Sequence, residues 1–72
     1  MSKESQITVK LNGETKSFEH STTLMDLVEA HGLKVNSILI ELNGEAVLRS
    51  KWRTRVIKQG DQLEFLRVVA GG

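Results

Sequence analysis

The sequence QITVKLNGETKSFE, residues 6–19, has the pattern of two strands joined by a tight turn. Its first half alternates apolar and polar positions, as a strand with one buried face does. The apolar positions are Ile7, Val9 and Leu11. Asn12-Gly13 follows, and both residues tolerate the positive φ of a two-residue type I′ turn. Residues 14–19 then predict a return strand that carries Phe18, so the whole stretch predicts an antiparallel hairpin.

The next segment, residues 21–33, changes to a helical period. The apolar positions of one helical face are Leu24, Leu27 and Val28. Thr23 and Asp26 have the spacing of a capping box at the helix start. Gly32 can adopt the positive φ that is common just past a helix end. The pattern predicts one helix of about nine residues.

A second Asn-Gly pair, Asn43-Gly44, marks another tight turn. The apolar run before it, SILIEL at residues 37–42, predicts a third strand, and residues 46–48 predict a short fourth strand. A single helical turn is expected near residues 50–52.

The last strand is predicted in QLEFLRVV, residues 62–69, after a turn at Gly60-Asp61. It places Leu63 and Phe65 on one face. We expect this strand to lie in the middle of the sheet, parallel to the first strand. The element order therefore predicts an α+β fold, a β-grasp with a mixed sheet of four to five strands packed on one helix.

Composition favours one small globular domain. The 72 residues are 39% hydrophobic and 26% charged and include no proline, which argues against a disordered segment. We expect a single domain over residues 1–72, with flexible residues 1–5 and an extended tail at residues 70–72. No cysteine is present, so disulfides, thiolate metal ligands and a thiol nucleophile are excluded.

Charge and hydropathy patterning do not favour a polyanion-binding, secreted or membrane-spanning protein. The formal net charge of +1 does not favour wholesale polyanion binding. The opening MSKESQITVK lacks the apolar stretch of a signal peptide. No apolar run approaches the roughly 20 residues that span a bilayer. We therefore expect a cytoplasmic protein that binds no membrane.

The residue pattern does not favour side-chain catalysis or a metal site. His20 and His31 lie in different predicted elements without the spacing of clustered metal ligands. A histidine near a helix C-terminus is explained by the helix dipole, so we expect a structural role for His31. Ser21 follows His20 but lies in no G-x-S-x-G elbow.

The basic run RSKWRTRVIK, residues 49–58, contains no acidic residue. Three interpretations are open for it. Trp52 packs at the core edge while the cations are solvated, or Arg53 and Arg55 dock an acidic partner protein, or the run binds nucleic acid. Packing is the preferred interpretation of Trp52, because the chain has only three aromatic residues of the Phe, Trp and Tyr types. We expect no nucleic-acid partner.

The C-terminal sequence RVVAGG loses side-chain size step by step and ends in Gly71-Gly72. Such a tail can extend into a narrow cleft of another protein. If Leu63 and Phe65 face the helix, Leu66 and Val68 lie on the opposite face of the same strand. These two residues then form a candidate docking patch.

A C-terminal carboxylate is an anion at neutral pH and can attack the α-phosphate of ATP. The resulting acyl adenylate is open to sulfur or nitrogen nucleophiles. Gly72 is therefore the candidate reactive residue, while a partner enzyme supplies the catalysis.

Three segments carry a family resemblance: TTLMDLVEAHGL, ELNGEAVLRSKW and VIKQGDQLEFLRVVAGG. They resemble the sulfur carrier proteins of thiamine biosynthesis, which are members of the ubiquitin-like β-grasp family. The resemblance implies that an activating enzyme adenylates Gly72 with ATP and magnesium. It also implies a sulfur donor such as a cysteine desulfurase, a thiocarboxylate (1-thioglycine) at Gly72, and thiazole synthase as the sulfur acceptor. The chain itself is then no enzyme and binds no cofactor.

The resemblance and the pattern together suggest residues for each role. Gly71 and Gly72 form the reactive end, and the partner-binding candidates are Arg53, Arg55, Leu66, Val68 and Ala70.

Other carriers and other classes stay open. The small subunit of molybdopterin synthase shares the fold and the Gly-Gly end, although the absence of proline favours the thiamine branch. Carriers for tRNA thiolation or cysteine synthesis are further alternatives. A β-grasp module that binds RNA or protein, and a modifier conjugated to other proteins, are alternatives of a different class.

Overall fold

The two Asn-Gly pairs form the tight turns that the sequence predicts. They are seen in a computed structural model, which describes residues 5–68. The φ angles are 51° at Asn12, 85° at Gly13, 54° at Asn43 and 88° at Gly44. All four lie in the left-handed region that a type I′ turn requires. The two hairpins are therefore confirmed.

Five strands form one mixed sheet, and one helix packs against it. The elements are β1 (Gln6–Leu11), β2 (Glu14–Glu19), α1 (Leu24–Ala30), β3 (Ile38–Leu42), β4 (Glu45–Ala46) and β5 (Gln62–Arg67). The strand order is β2-β1-β5-β3-β4. The central strand β5 is parallel to β1 and antiparallel to β3. This arrangement confirms the predicted β-grasp fold and the central position of its last strand.

The capping box at the start of α1 is present as predicted. The Thr23 hydroxyl accepts a hydrogen bond from the backbone N–H of Asp26 at 3.1 Å. The Thr23 N–H in turn donates to the Asp26 carboxylate at 2.9 Å. Two of the N–H groups at the helix start are thereby satisfied.

The end of α1 follows the predicted glycine signal but comes earlier than expected. The N–H of Gly32 donates to the Glu29 carbonyl at 3.1 Å, and the N–H of Leu33 donates to the Val28 carbonyl at 3.0 Å. These two bonds form a Schellman motif, and Gly32 has the required positive φ of 65°. The motif ends the helix at Ala30, so α1 has seven residues instead of the predicted nine or so.

The core lies between α1 and the inner face of the sheet. Its buried residues are Val9, Leu11, Leu24, Met25, Leu27, Val28, Ile38, Ile40, Leu42, Trp52, Ile57 and Leu63. Trp52 is fully buried, and its indole N–H donates to the Val47 carbonyl at 2.9 Å. The interpretation of Trp52 as a packing residue is confirmed. Its ring is therefore not available for stacking on a base.

Arg49, the first cation of the basic run, bonds within the domain. Its Nε donates to the Val35 carbonyl at 3.0 Å, and a terminal guanidinium nitrogen donates to the Ile38 carbonyl at 3.3 Å. The guanidinium carbon also lies 6.0 Å from the ring centroid of Trp52. Arg49 thus satisfies backbone carbonyls at the start of β3 and is a structural residue.

Several predicted boundaries are wrong by one or two residues. The fourth strand is Glu45–Ala46 and not residues 46–48, and the helical turn is a 3₁₀ turn at Arg49–Lys51 and not residues 50–52. Leu48 is the N-cap of that turn and is 71% exposed, so no core packing holds it in the sheet. A further 3₁₀ turn at Val35–Ser37 was not predicted.

The N-terminal segment predicted to be flexible, residues 1–5, and the predicted extended tail, residues 70–72, lie outside the described residues except for Ser5. The Ser5 carbonyl accepts a hydrogen bond from the N–H of His20 at 2.8 Å. The last strand ends at Arg67, two residues before the predicted Val69, which also lies outside the described residues.

Side chains of the two turn asparagines bond to the chain at β5. The amide oxygen of Asn12 accepts from the N–H of Phe65 at 2.7 Å, and its amide nitrogen lies 3.4 Å from the Phe65 carbonyl. The amide oxygen of Asn43 accepts from the N–H of Gln62 at 2.9 Å. Its amide nitrogen donates to the Asp61 carboxylate at 3.1 Å. The turns therefore hold the central strand from both sides.

Asn12→Gly tests this role, because glycine keeps the positive φ and removes both side-chain hydrogen bonds. We expect the free energy of unfolding to fall by about 1–2 kcal/mol, measured by urea denaturation. Asn12→Asp keeps an acceptor for the Phe65 N–H and should lose less. A glycine variant as stable as the unsubstituted chain would show that the turn side chain does not hold β5.

Candidate functional site

Three exposed apolar side chains lie on the outer face of the sheet, the face away from α1. Leu66 and Val68 are each 38% exposed. Leu39 of β3 lies directly opposite Leu66 in the strand register and is 48% exposed. Val68 follows Leu66 by two residues and shares its face by strand alternation. We call Leu39, Leu66 and Val68 the outer-face patch.

The patch arises from the alternation of β5 and β3. Leu63 is buried and Phe65 is half-buried on the inner face, so Leu66 points outward as the sequence predicts. Leu39 lies between two buried isoleucines of β3 and was missed by the sequence analysis. The alternation of ILIEL at residues 38–42 is the signal that could have identified it.

The next cross-strand pair on the outer face is acidic. Glu41 of β3 lies opposite Glu64 of β5. Like charges directly opposite each other in a sheet are destabilising. The outer-face patch thus borders two carboxylates, and a partner surface that covers it gains from basic residues at that border.

The backbone at the end of β5 is tied to the start of β3. The N–H of Val68 donates to the Ser37 carbonyl at 2.8 Å. The sheet therefore holds the chain up to the last described residue. The candidate residues Ala70, Gly71 and Gly72 lie outside the described residues, and their roles stay predictions.

One of the two candidate arginines lies at a cleft apart from the outer-face patch. Arg53 and Arg55 are both exposed. Arg55 lines a cleft beside Asp61, the residue that precedes β5. Asp61 and Leu66 are five residues apart along an extended chain, which corresponds to about 16 Å. The structure thus places Arg55 in a different region from Leu66 and Val68.

The contacts of His31 indicate a structural role and not a catalytic or metal-binding one. His31 Nδ1 lies 2.7 Å from the Leu27 carbonyl, and its ring meets Phe65 edge-on at 6.3 Å between centroids. Within residues 5–68, no group of three or more His, Cys, Asp or Glu side chains is placed to hold a metal ion. Over the same residues, no helix has the length and apolar character needed to cross a membrane.

Comparison with known proteins gives one consistent family. A family model described as the ThiS family matches residues 9–72. The sulfur carrier protein ThiS of Thermus thermophilus is 33% identical over 64 residues, which cover 89% of this chain and 98% of that protein. The crystal structure of the thiamine biosynthesis protein (ThiS) from Geobacter metallireducens has a TM-score of 0.79 at 28% identity. This match covers 92% of this chain and all of that one.

A second kind of relative is much longer. The thiazole synthase of Magnetococcus marinus is 31% identical over 64 residues, which cover 89% of this chain and 20% of that protein. The chain thus spans about one fifth of the length of the thiazole synthase that it matches.

The two faces of β5 should differ sharply in their contribution to stability. Leu63→Ala removes a buried side chain and is expected to cost about 2–5 kcal/mol of unfolding free energy. Leu66→Ala removes the same atoms from the exposed face and should cost about 1 kcal/mol or less. Urea denaturation of both variants measures the difference. Equal losses would mean that the outer-face patch is a packing surface and not a free docking surface.

Proposed function

Because the chain belongs to the ThiS family, we propose that it is a sulfur carrier of thiamine biosynthesis. The observation that carries this proposal is the match of the family model, which runs from residue 9 to residue 72 and so includes the Gly71-Gly72 end. The similarity to a sulfur carrier protein over 98% of that protein's length supports the same function.

The first chemical step is activation of the C-terminal carboxylate. An oxygen of the Gly72 carboxylate attacks the α-phosphorus of ATP in the active site of a partner activating enzyme. The acyl–O–P bond of an adenylate forms, and magnesium pyrophosphate leaves. The partner supplies the magnesium ion and the charge stabilisation.

The second step replaces oxygen by sulfur. A persulfide sulfur from a donor such as a cysteine desulfurase attacks the acyl carbon, and AMP leaves. A thiol then attacks the donor sulfur of the acyl disulfide, which breaks the S–S bond. The products are a disulfide and a thiocarboxylate, 1-thioglycine at Gly72. No side chain of this chain takes part, which fits a carrier without cysteine.

Thiazole synthase is the proposed acceptor of the sulfur. In the Magnetococcus marinus thiazole synthase, a segment of about one fifth of the protein is similar to this chain. A segment joined to an enzyme in one polypeptide meets it at a high effective concentration. This relative therefore supports thiazole synthase as the partner that this chain serves.

The fold allows docking and reaction to use different residues. The outer-face patch offers partner enzymes an apolar contact surface beside the end of β5. Ala70 and the two glycines carry the smallest side chains of the chain end, so an active-site channel can enclose them closely. Docking at the patch and reaction at Gly72 are thus assigned to different residues.

Deleting Gly72 tests the function directly. The reactive carboxylate then moves back by one residue, about 3.5 Å, and misses the reaction geometry in the partner. We expect formation of the thiazole product, in a mixture with the activating enzyme, ATP, a sulfur donor and thiazole synthase, to fall by about 100-fold or more.

The melting temperature should not change in this variant, because β5 and the core are left intact. A chain that lacks Ser2 is the control for a one-residue deletion at the other end and should keep full activity. Full product formation without Gly72 would contradict the carrier function. A parallel loss of melting temperature would mean that the deletion acts through the fold.

A further inference from the structure

A cleft of about 490 Å³ lies beside the start of β5, at the opposite end of this strand from the outer-face patch. Its lining residues are Asn43, Thr54, Arg55, Val56, Lys58 and Asp61. Two of the six are cations from the basic run, and one is an apolar side chain that is 36% exposed, Val56. The proposed sulfur chemistry uses none of these residues.

The walls of the cleft are fixed by backbone hydrogen bonds to the start of α1. The N–H of Leu24 donates to the Arg55 carbonyl at 3.0 Å, and the N–H of Ile57 donates to the Thr22 carbonyl at 2.9 Å. Between them, Val56 forms a β-bridge with the helix cap. The cations are therefore presented from an ordered segment, which lowers the entropic cost of binding.

The acidic residue of the cleft does not neutralise these cations by ion pairing. One Asp61 carboxylate oxygen accepts from the backbone N–H of Lys58 at 2.7 Å, and the other accepts from the Asn43 amide at 3.1 Å. Among residues 5–68, no carboxylate lies within ion-pair distance of Arg55 or of the Lys58 ammonium. Both positive charges are thus available to an external anion.

The chemistry of the cleft favours carboxylates over phosphates. The backbone N–H groups of Arg55, Ile57 and Lys58 are all engaged within the domain, so they do not form an anion cradle. Trp52 is fully buried, so the basic run presents no aromatic ring for a base. Separate side-chain cations next to an apolar valine fit a peptide that combines acidic and apolar residues.

We propose that this cleft binds an acidic segment of a partner protein. Glutamate or aspartate side chains of that segment pair with Arg55 and Lys58, and a neighbouring apolar side chain contacts Val56. The cleft is a second docking point, about 16 Å along β5 from the outer-face patch. A partner bound there leaves the outer-face patch uncovered, and binding does not depend on the proposed sulfur transfer.

An NMR titration of the ¹⁵N-labelled full chain tests the proposal. The probe is a capped hexapeptide of alternating glutamate and leucine, and the same peptide with glutamine in place of glutamate is its control. We expect amide shifts confined to residues 43, 54–58 and 61. Binding should weaken when salt is raised, because exposed charge pairs are screened.

A matched pair of double variants assigns the binding to the cleft. Arg55→Gln with Lys58→Gln should bind the acidic peptide about tenfold more weakly, as expected when two exposed charge pairs are lost. Arg67→Gln with Lys34→Gln removes one arginine and one lysine from exposed positions elsewhere and should bind within about twofold of the unsubstituted chain. Unchanged amide spectra away from each substitution show that both variants are folded.

Four outcomes overturn the proposal: no peptide binding, equal binding of the glutamine peptide, equal losses in both double variants, or tighter binding of an eight-nucleotide polyuridine. The last outcome would make the cleft a nucleic-acid site. Sulfur loading of the same samples separates this proposal from the carrier function. If the chain is loaded with sulfur but does not bind the peptide, the cleft proposal alone is overturned. If the chain binds the peptide but is not loaded with sulfur, the cleft proposal is supported and the carrier function is contradicted.

Discussion

The position of the central strand β5 depends on contacts from both of its neighbours. The proposed docking surface lies partly on this strand, and the proposed reactive end follows it in the sequence. β1 pairs with β5 over two residue pairs only, whereas β3 pairs with it over five. The Asn12 side chain extends the shorter ladder to Phe65, and Asn43 bonds the first residue of β5. The two Asn-Gly turns thus do more than reverse the chain: they position the strand that carries the site.

The alternation of side chains along β5 supplies both a core face and an exposed face. Its inner face completes the core through Leu63, and its outer face presents Leu66 beside Leu39. The basic run divides in the same way. Trp52 and Ile57 are buried within it and Arg49 bonds to backbone carbonyls, whereas two of its other cations, Arg55 and Lys58, line the cleft. The stable core and the candidate binding surfaces are therefore built from the same segments.

Local sequence signals predicted the hairpins, the capping box and the order of the elements, because turn chemistry and apolar periodicity act over a few residues. The central position of β5 also followed from the element order. The short strand β4 and the 3₁₀ turn at Arg49–Lys51 were misplaced by one or two residues, and the 3₁₀ turn at Val35–Ser37 was missed. The Arg49 side chain ties these segments together through the Val35 and Ile38 carbonyls, and a local pattern does not show such a contact. The cleft was missed for a related reason: Asn43, Arg55 and Asp61 meet only in the folded chain. The alternation of β3 was sufficient to predict that Leu39 is exposed on the outer face, but the sequence analysis assigned this residue only to a strand.

The proposed function requires that the C-terminal carboxylate of this chain carries sulfur. Intact-protein mass spectrometry detects this sulfur after incubation with a ThiS-family activating enzyme, ATP, magnesium and a persulfide donor. The ThiS protein of Thermus thermophilus serves as the positive control for an active mixture. We expect the mass gain that results when one sulfur replaces one oxygen, and we expect fragmentation to locate it at Gly72. An unchanged mass, or the same gain at another residue, would contradict it while the control is loaded.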